Sequence, residues 1–235
     1  IGQEAMHSRE HVEYNEMLDR AGLPASQLDN FLWGFLAFIK KTLGKRLTLA
    51  GTIALEHYTA LMADQLLRNP DVLGEKSDPA YKQMWMWHAY EETEHKAVAY
   101  DVWNHVLPDN MHNRFSRRLA MVLATAIFWP LVAYFHMRLV FADKTIKGGH
   151  LKGFWTVTKM LWGKKVGVLR NPVANGEFMD YFKADFHPWM HDNSRFLTEI
   201  DNFVATVEGS GRKPNTEIAN AIRARMNSQL KANAA

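Results

Sequence analysis

Apolar side chains recur along this chain at intervals of three and four residues, the spacing that places them on one face of an α-helix. We find no stretch in which apolar and polar residues alternate as in a half-buried strand, and no Asn-Gly turn flanked by strands. The pattern therefore predicts an all-α protein. We expect a ferritin-like helical bundle with additional C-terminal helices.

Glycine and proline divide the helical pattern into separate helices. Gly44 interrupts a long apolar stretch, Asp78-Pro79 is typical of a helix start, and Pro130 predicts a kink. We predict helices over residues 1–20, 27–43, 47–68, 78–107, 113–141, 151–163, 177–186, 192–207 and 214–235. We assign residues 1–112 to the bundle core and residues 113–235 to helices that pack on it within the same domain.

The 235 residues include no cysteine, which excludes disulfide bonds, thiolate metal sites, cysteine-ligated iron–sulfur clusters and thiol nucleophiles. Eleven histidines remain, so a metal would be bound through nitrogen and oxygen atoms. Neither a Ser-His-Asp pattern nor a glycine-rich phosphate loop is present. The net charge of +3 comes from scattered basic residues, so we expect no nucleic-acid partner.

Two helices each contain a Glu-x-x-His pair, Glu4 with His7 and Glu92 with His95. Three positions along a helix bring the two side chains to the same face, one turn apart, where they can reach one metal ion. His88 precedes Glu92 by four residues and extends the same stripe. One such pair is expected by chance at a frequency of about 0.6 in a chain of this composition, so the triple is the stronger signal.

Glu56 lies in an otherwise apolar helix, where an isolated charge would be costly to bury. Dinuclear carboxylate bundles combine two Glu-x-x-His pairs with one further glutamate from each of two other helices. Glu56 supplies one of these glutamates. We expect the other on a helix that precedes Ile1, and we find no signal peptide at the start of this sequence.

Three stretches carry a resemblance to a known family: residues 3–11 (QEAMHSREH), 54–60 (ALEHYTA) and 87–99 (WHAYEETEHKAVA), with residues 185–189 (DFHPW) further on. They resemble the bacterial family of predicted metal-dependent hydrolases. The ligand pattern is similar to that of ferritin-like di-iron oxygenases, and the additional histidine is similar to that of the p-aminobenzoate N-oxygenase type. The resemblance implies two metal ions, iron or manganese, bound by Glu4, His7, Glu56, His88, Glu92 and His95.

Three functions are compatible with this ligand set. The first interpretation is an oxygen-activating enzyme acting on an apolar or lipid-like substrate with an electron donor, in which Glu4 and Glu92 bridge the metals. The second is a hydrolase that uses a metal-activated water. The third is a metal-binding protein without catalytic activity. No catalytic residue is assigned beyond the ligands.

Several other polar residues are given a structural role. We expect Glu91 and Glu94 to support the site or to be exposed, and His57 to point away from Glu56. His187 and His191 could bind a separate metal, but Pro188 between them favours a turn.

Residues 119–135 contain no charge, which is compatible with a central core helix or with a membrane-embedded one. The core helix is the favoured interpretation. Aromatic residues and lysines mix in residues 152–165, as they do at an anionic lipid surface. The expected partners therefore include a peripheral membrane contact and a second copy of the chain. The expected location is cytoplasmic, at the inner face of the membrane.

Overall fold

The structure is a computed structural model that describes residues 2–164 and 167–208, with the backbone alone for residues 2–10, 201 and 204–208. These residues form helices and irregular connections without a strand, which confirms the all-α prediction. The tail predicted at 214–235 lies outside the described residues. The helices are α1 (Gly2–Arg20), α2 (Ala25–Arg68), α3 (Pro79–His95), α4 (Val98–Val106), α5 (Met111–Ala142), α6 (His150–Trp162), α7 (Arg170–Ala174), α8 (Glu177–Asp180) and α9 (Arg195–Glu208).

Helix α2 is broken at Gly44, as the sequence predicts. This glycine has φ 70° and ψ 170°, a conformation that only glycine adopts at low cost. We call residues 25–43 α2N and residues 45–68 α2C. The chain reverses at the break, so that α2N runs antiparallel to α5 and α2C runs parallel to it. The contacts that define these directions are Gln27–Arg138 and Phe31–Tyr134 in α2N, and Arg46–Asn113 and Tyr58–Phe128 in α2C.

Helix α2C is the central element of the fold. On one side its residues Ala50, Ile53, Ala54 and Tyr58 pack in a buried cluster with Met121 of α5 and with residues of α4 and of the segment after α8. On another side Ala63 and Leu67 pack with Ala89 and Tyr90 of α3 and with Phe196 of α9. Burial of these side chains is the main source of stability for the described fold.

The helix predicted over residues 78–107 is two helices, α3 and α4, separated at Lys96 and Ala97. Lys96 is 4% exposed, and its ammonium group donates hydrogen bonds to the carbonyl of His191 (2.8 Å) and to Asn193 Oδ1 (2.7 Å). It also lies 3.9 Å from the ring centre of Trp189. We attribute the break to these tertiary contacts, since the local sequence contains neither glycine nor proline.

The favoured interpretation of residues 119–135 as part of a central core helix holds only for the start of this stretch, where Ala120 and Met121 belong to the buried cluster around α2C. Helix α5 continues through Pro130, and none of its residues from 122 to 139 is buried. Of the residues in its most apolar 18-residue window, only 6% are buried. Among the described residues, α5 is the one helix whose length and composition would allow it to cross a membrane.

Replacing Gly44 by alanine should destabilise the protein by about 1–3 kcal/mol, because alanine is strained at a φ of 70°. A steric clash does not contribute to this loss of stability, since no atom lies within 4 Å of the position that the alanine Cβ would take. Gly34→Ala is the matched control in α2N, where a Cβ also meets nothing and the backbone is helical. The control should stabilise the helix by about 0.5–1 kcal/mol. Urea denaturation followed by circular dichroism measures both. Equal effects of the two variants would contradict the assigned turn at Gly44.

Candidate metal centre

Helix α3 presents the predicted ligands on one sector of its surface. It begins as predicted, with the Asp78 side chain accepting a hydrogen bond from the amide of Ala80 (2.8 Å) and Pro79 in the first turn. His88, Glu92 and His95 lie within a sector of about 60°, at 100° per residue. His88 Nε2 lies 3.6 Å from Glu92 Oε1, and the two side chains are 22% and 17% exposed. The sector is half-buried, which suits ligands that must meet a substrate.

Helix α1 packs along this sector of α3 in the antiparallel direction. His11 and His88 meet edge to face with ring centres 5.0 Å apart, and Tyr14 meets Trp85 in the same manner at 5.8 Å. Trp85 and His88 are themselves in edge contact at 5.6 Å. One further turn away the sulfur of Met17 contacts the hydroxyl of Tyr81. Aromatic rings therefore bring α1 against the face of α3 that carries the candidate ligands.

Helix α2C packs against a neighbouring face of α3. Ala63 of α2C and Ala89 of α3 belong to the same buried cluster. Glu56 is two turns before Ala63 and is half-buried. His57 points elsewhere, as predicted, because its ring packs against Phe186 at 5.3 Å and against other aromatic residues of the chain after α8.

Glu91 is buried, with only 5% of its surface exposed. Of the two roles expected for it, the exposed one is wrong and the supporting one stays a prediction. At 100° per residue it lies about 60° from His88, next to the sector that carries the predicted ligands. A carboxylate buried at this place is a further candidate for the metal centre. Only its angular position relative to His88 could have indicated this from the sequence.

The predicted ligand set stays a prediction. Glu4 and His7 lie on the backbone of α1, but their side chains are outside what the structure describes. Among the side chains that it does describe, no three or more histidine and carboxylate groups are arranged to hold a metal ion. Glu56, His88, Glu92 and His95 are all described and half-buried.

A second polar cluster lies on another face of α2C and next to the end of α3, around a cavity of about 160 Å³ lined by His57, Asp64, Lys96, Glu177 and His191, among others. Burial, followed by the charge of the nearby His191, lowers the pKa of His57 to about 3. Burial also lowers the pKa of Lys96 to about 7. This cluster was missed because its members are far apart in the sequence and follow no motif.

His187 and His191 contact different carboxylates. His187 Nδ1 accepts a hydrogen bond from the amide of Trp189 (3.2 Å), which leaves Nε2 to donate to Asp101 (3.1 Å). His191 Nε2 contacts Asp180 Oδ2 at 2.8 Å. The turn predicted at Pro188 is confirmed, since residues Pro188–Met190 form one turn of 3-10 helix.

The fold and this site define an all-α protein with a candidate histidine–carboxylate centre on three helices. The chain belongs to the family described as predicted metal-dependent hydrolase, whose family model matches residues 1–192. The matched range includes all six predicted ligands and the stretches that carry the resemblance. No curated protein and no solved structure matches the chain. The family description supports metal dependence, and the ferritin-like di-iron pattern has no such support.

The packing of α1 on α3 can be tested by a double-mutant cycle on Tyr14 and Trp85. Replacing each residue by alanine, alone and together, should give a coupling energy of about 0.5–1.5 kcal/mol for this aromatic pair. Val12, which is 50% exposed on α1, is the control. Its coupling to Trp85 should stay within about 0.5 kcal/mol. Unfolding free energies from urea denaturation give both values. Coupling of Tyr14 no larger than that of Val12 would show that α1 does not pack on α3 in this way.

Proposed function

We propose that this chain is a metal-dependent hydrolase whose metal centre lies where α1, α2C and α3 meet. The family match supports hydrolysis as the reaction class. The packing of the three helices supports the place of the centre. The proposed ligands are Glu4, His7, Glu56, His88, Glu92 and His95.

The register of the helices carries this proposal. His11 lies opposite His88, and seven residues are about two helical turns, or about 10.5 Å. Because the helices are antiparallel, the backbone position of Glu4 on α1 is then level with His95 on α3. Residues from two separate parts of the sequence are then at one level. Glu56 is the third contribution that we propose, from α2C, whose residues Ala63 and Leu67 share a buried cluster with Ala89 and Tyr90 of α3.

The donor set fits a transition metal. Imidazole nitrogens and carboxylates are suitable ligands for iron, manganese and zinc, and the absence of cysteine removes the softer alternatives. Pairs of Glu-x-x-His and additional glutamates on facing helices are the arrangement found in dinuclear carboxylate bundles. The proximity of Glu92 to His88 favours one ring orientation.

A bound divalent metal supplies a water of lowered pKa and a Lewis acid that polarises a carbonyl or phosphoryl oxygen. The residues of this chain provide the surroundings. Trp85 and Tyr14 form an aromatic wall beside His88, which keeps bulk water from that side of the ligands. The side chains of His88 and Glu92 stay partly exposed, so a substrate can approach them from solvent.

The oxygen-activating interpretation is the main alternative from the sequence. It rests on the similarity of the ligand pattern to di-iron oxygenases, and the family match does not support it. We therefore prefer hydrolysis. The two reactions differ in one requirement that can be measured, since only the oxygenase consumes dioxygen.

His88→Ala and Glu92→Gln should each weaken metal binding, because each removes a direct ligand. The loss should exceed the roughly 10- to 100-fold that removal of a ligand's hydrogen-bonding partner costs. Inductively coupled plasma mass spectrometry after dialysis against a weak chelator measures bound iron, manganese and zinc. Gln83→Ala, at an exposed position on the same helix, is the control, and its metal content should be unchanged. Wild-type metal content in both ligand variants would refute the assignment of α3.

Hydrolysis should continue without oxygen and should stop when the metal is removed. An activated ester and an activated phosphodiester, each releasing p-nitrophenol, are suitable probes under nitrogen. Treatment with a strong chelator should abolish turnover, and adding back the metal should restore it. A protein that binds metal but turns over neither probe, and that consumes oxygen when reduced, would favour the oxygenase. Metal binding with neither activity would favour the non-catalytic interpretation.

A further inference from the structure

Three helices of this protein form a layer with little covering. Helix α5 runs through its middle, with α2N antiparallel on one side and α6 antiparallel on the other. We call α2N, residues 122–142 of α5 and all of α6 the apolar layer. The ring contacts that hold it together are Phe31–Phe135 at 6.4 Å, His136–Phe154 at 4.6 Å and Trp129–Trp162 at 4.9 Å.

The apolar layer is poorly buried for its composition. Helix α6 has no buried residue, and α2N has only Ala25 and Leu28. Contiguous apolar surface of this kind is rare on soluble monomers and marks contact with a partner or a membrane. Seven aromatic side chains of the layer are between 38% and 65% exposed: Phe31, Trp33, Phe38, Tyr134, Phe141, Trp155 and Trp162.

The parts of the chain that contain this layer are strongly basic. Residues 25–55 and 110–176 hold fifteen lysines and arginines and only two acidic residues, Asp29 and Asp143. Helices α5 and α6 contain no acidic residue at all. The rest of the chain has thirteen basic and twenty-three acidic residues. The charge beside the apolar layer is therefore complementary to an anionic surface.

We propose that the apolar layer docks on the surface of a lipid bilayer that contains anionic lipids. Its aromatic rings would enter the boundary between headgroups and acyl chains, and its lysines would face the headgroups. Two copies of the chain pressed together through this layer would instead bring two strongly basic surfaces into contact, which electrostatic repulsion opposes. The charge therefore favours lipid over a second copy.

The layer lies in the membrane surface rather than across the membrane. The uncharged stretch of α5 between Arg118 and Arg138 has 19 residues, about 28 Å, which is close to the thickness of the hydrocarbon core. The uncharged stretches of the neighbouring helices are too short to cross the hydrocarbon core. Only ten uncharged residues separate Asp29 from Lys40, and six separate Lys152 from Lys159. A spanning arrangement would place these charges in the hydrocarbon, at high cost.

Flotation of the full chain with vesicles tests this proposal. We expect binding to vesicles of phosphatidylcholine mixed with phosphatidylglycerol, and at least about tenfold weaker binding to phosphatidylcholine alone. Binding should fall as salt is raised. The double variant Trp33→Ser/Trp155→Ser should lose binding because it removes two exposed rings, 64% and 59% exposed. The double variant Lys152→Glu/Lys159→Glu should lose at least about tenfold on the anionic vesicles.

Matched controls lie outside the apolar layer. Val98→Ser/Val106→Ser removes two exposed apolar side chains of α4, and Lys76→Glu/Lys82→Glu reverses two charges near the start of α3. Both should bind vesicles like the wild type. Unchanged helicity by circular dichroism and unchanged metal content show that the variants fold. The result is then separate from the proposed hydrolase activity.

Three outcomes would overturn the proposal. The first is equal binding of layer variants and controls, or no binding to either vesicle. The second is a dimer in light scattering without lipid that the tryptophan variant dissociates, which would assign the layer to a second copy. The third is resistance to extraction from membranes at alkaline pH, which would show that α5 spans the bilayer.

Discussion

Helix α3 is packed on two sides, and the position of each candidate ligand depends on this. On one side of α3, Ala89 and Tyr90 pack against α2C and α9. On another side, Trp85 and His88 pack against aromatic residues of α1. A helix held in this way has its rotation about its own axis determined, since neither face can turn without losing buried surface. The sector with His88, Glu92 and His95 is therefore directed towards α1.

The contacts of Lys96 add a constraint along the axis of α3. Its ammonium group is held by the segment around His191 and Asn193, and burial lowers its pKa to about 7. This anchoring ends α3 directly after His95, at the level that the register assigns to the metal centre. His57 and Lys96 both line the polar cavity, whereas Glu56 does not, so the adjacent residues Glu56 and His57 lie in different surroundings.

Glycine and proline residues in the sequence correctly predicted the helix boundaries that depend only on local backbone conformation. Gly44 marked the break in α2 because its conformation requires glycine, and Asp78-Pro79 marked the start of α3. The break at Lys96 was not predictable, because it arises from contacts with residues nearly a hundred positions later. The candidate ligands on α3 were found by helical spacing. Their relation to α1 and α2C required the tertiary register, and the burial of Glu91 required the packing of neighbouring helices.

The apolar stretch of α5 shows where composition alone is ambiguous. A core helix and a membrane-facing helix need the same side chains, so residues 119–135 could not distinguish them until the neighbours of α5 were known. The distribution of charged residues along the chain helps to distinguish these two alternatives, which hydropathy alone does not. A net charge of +3 combines a strongly basic region around the apolar layer with an acidic remainder that contains all six candidate ligands. Carboxylates gathered in one part attract metal cations, and lysines gathered in the other attract anionic headgroups. The two proposals thus draw on opposite charges of the same chain, and each can fail without the other.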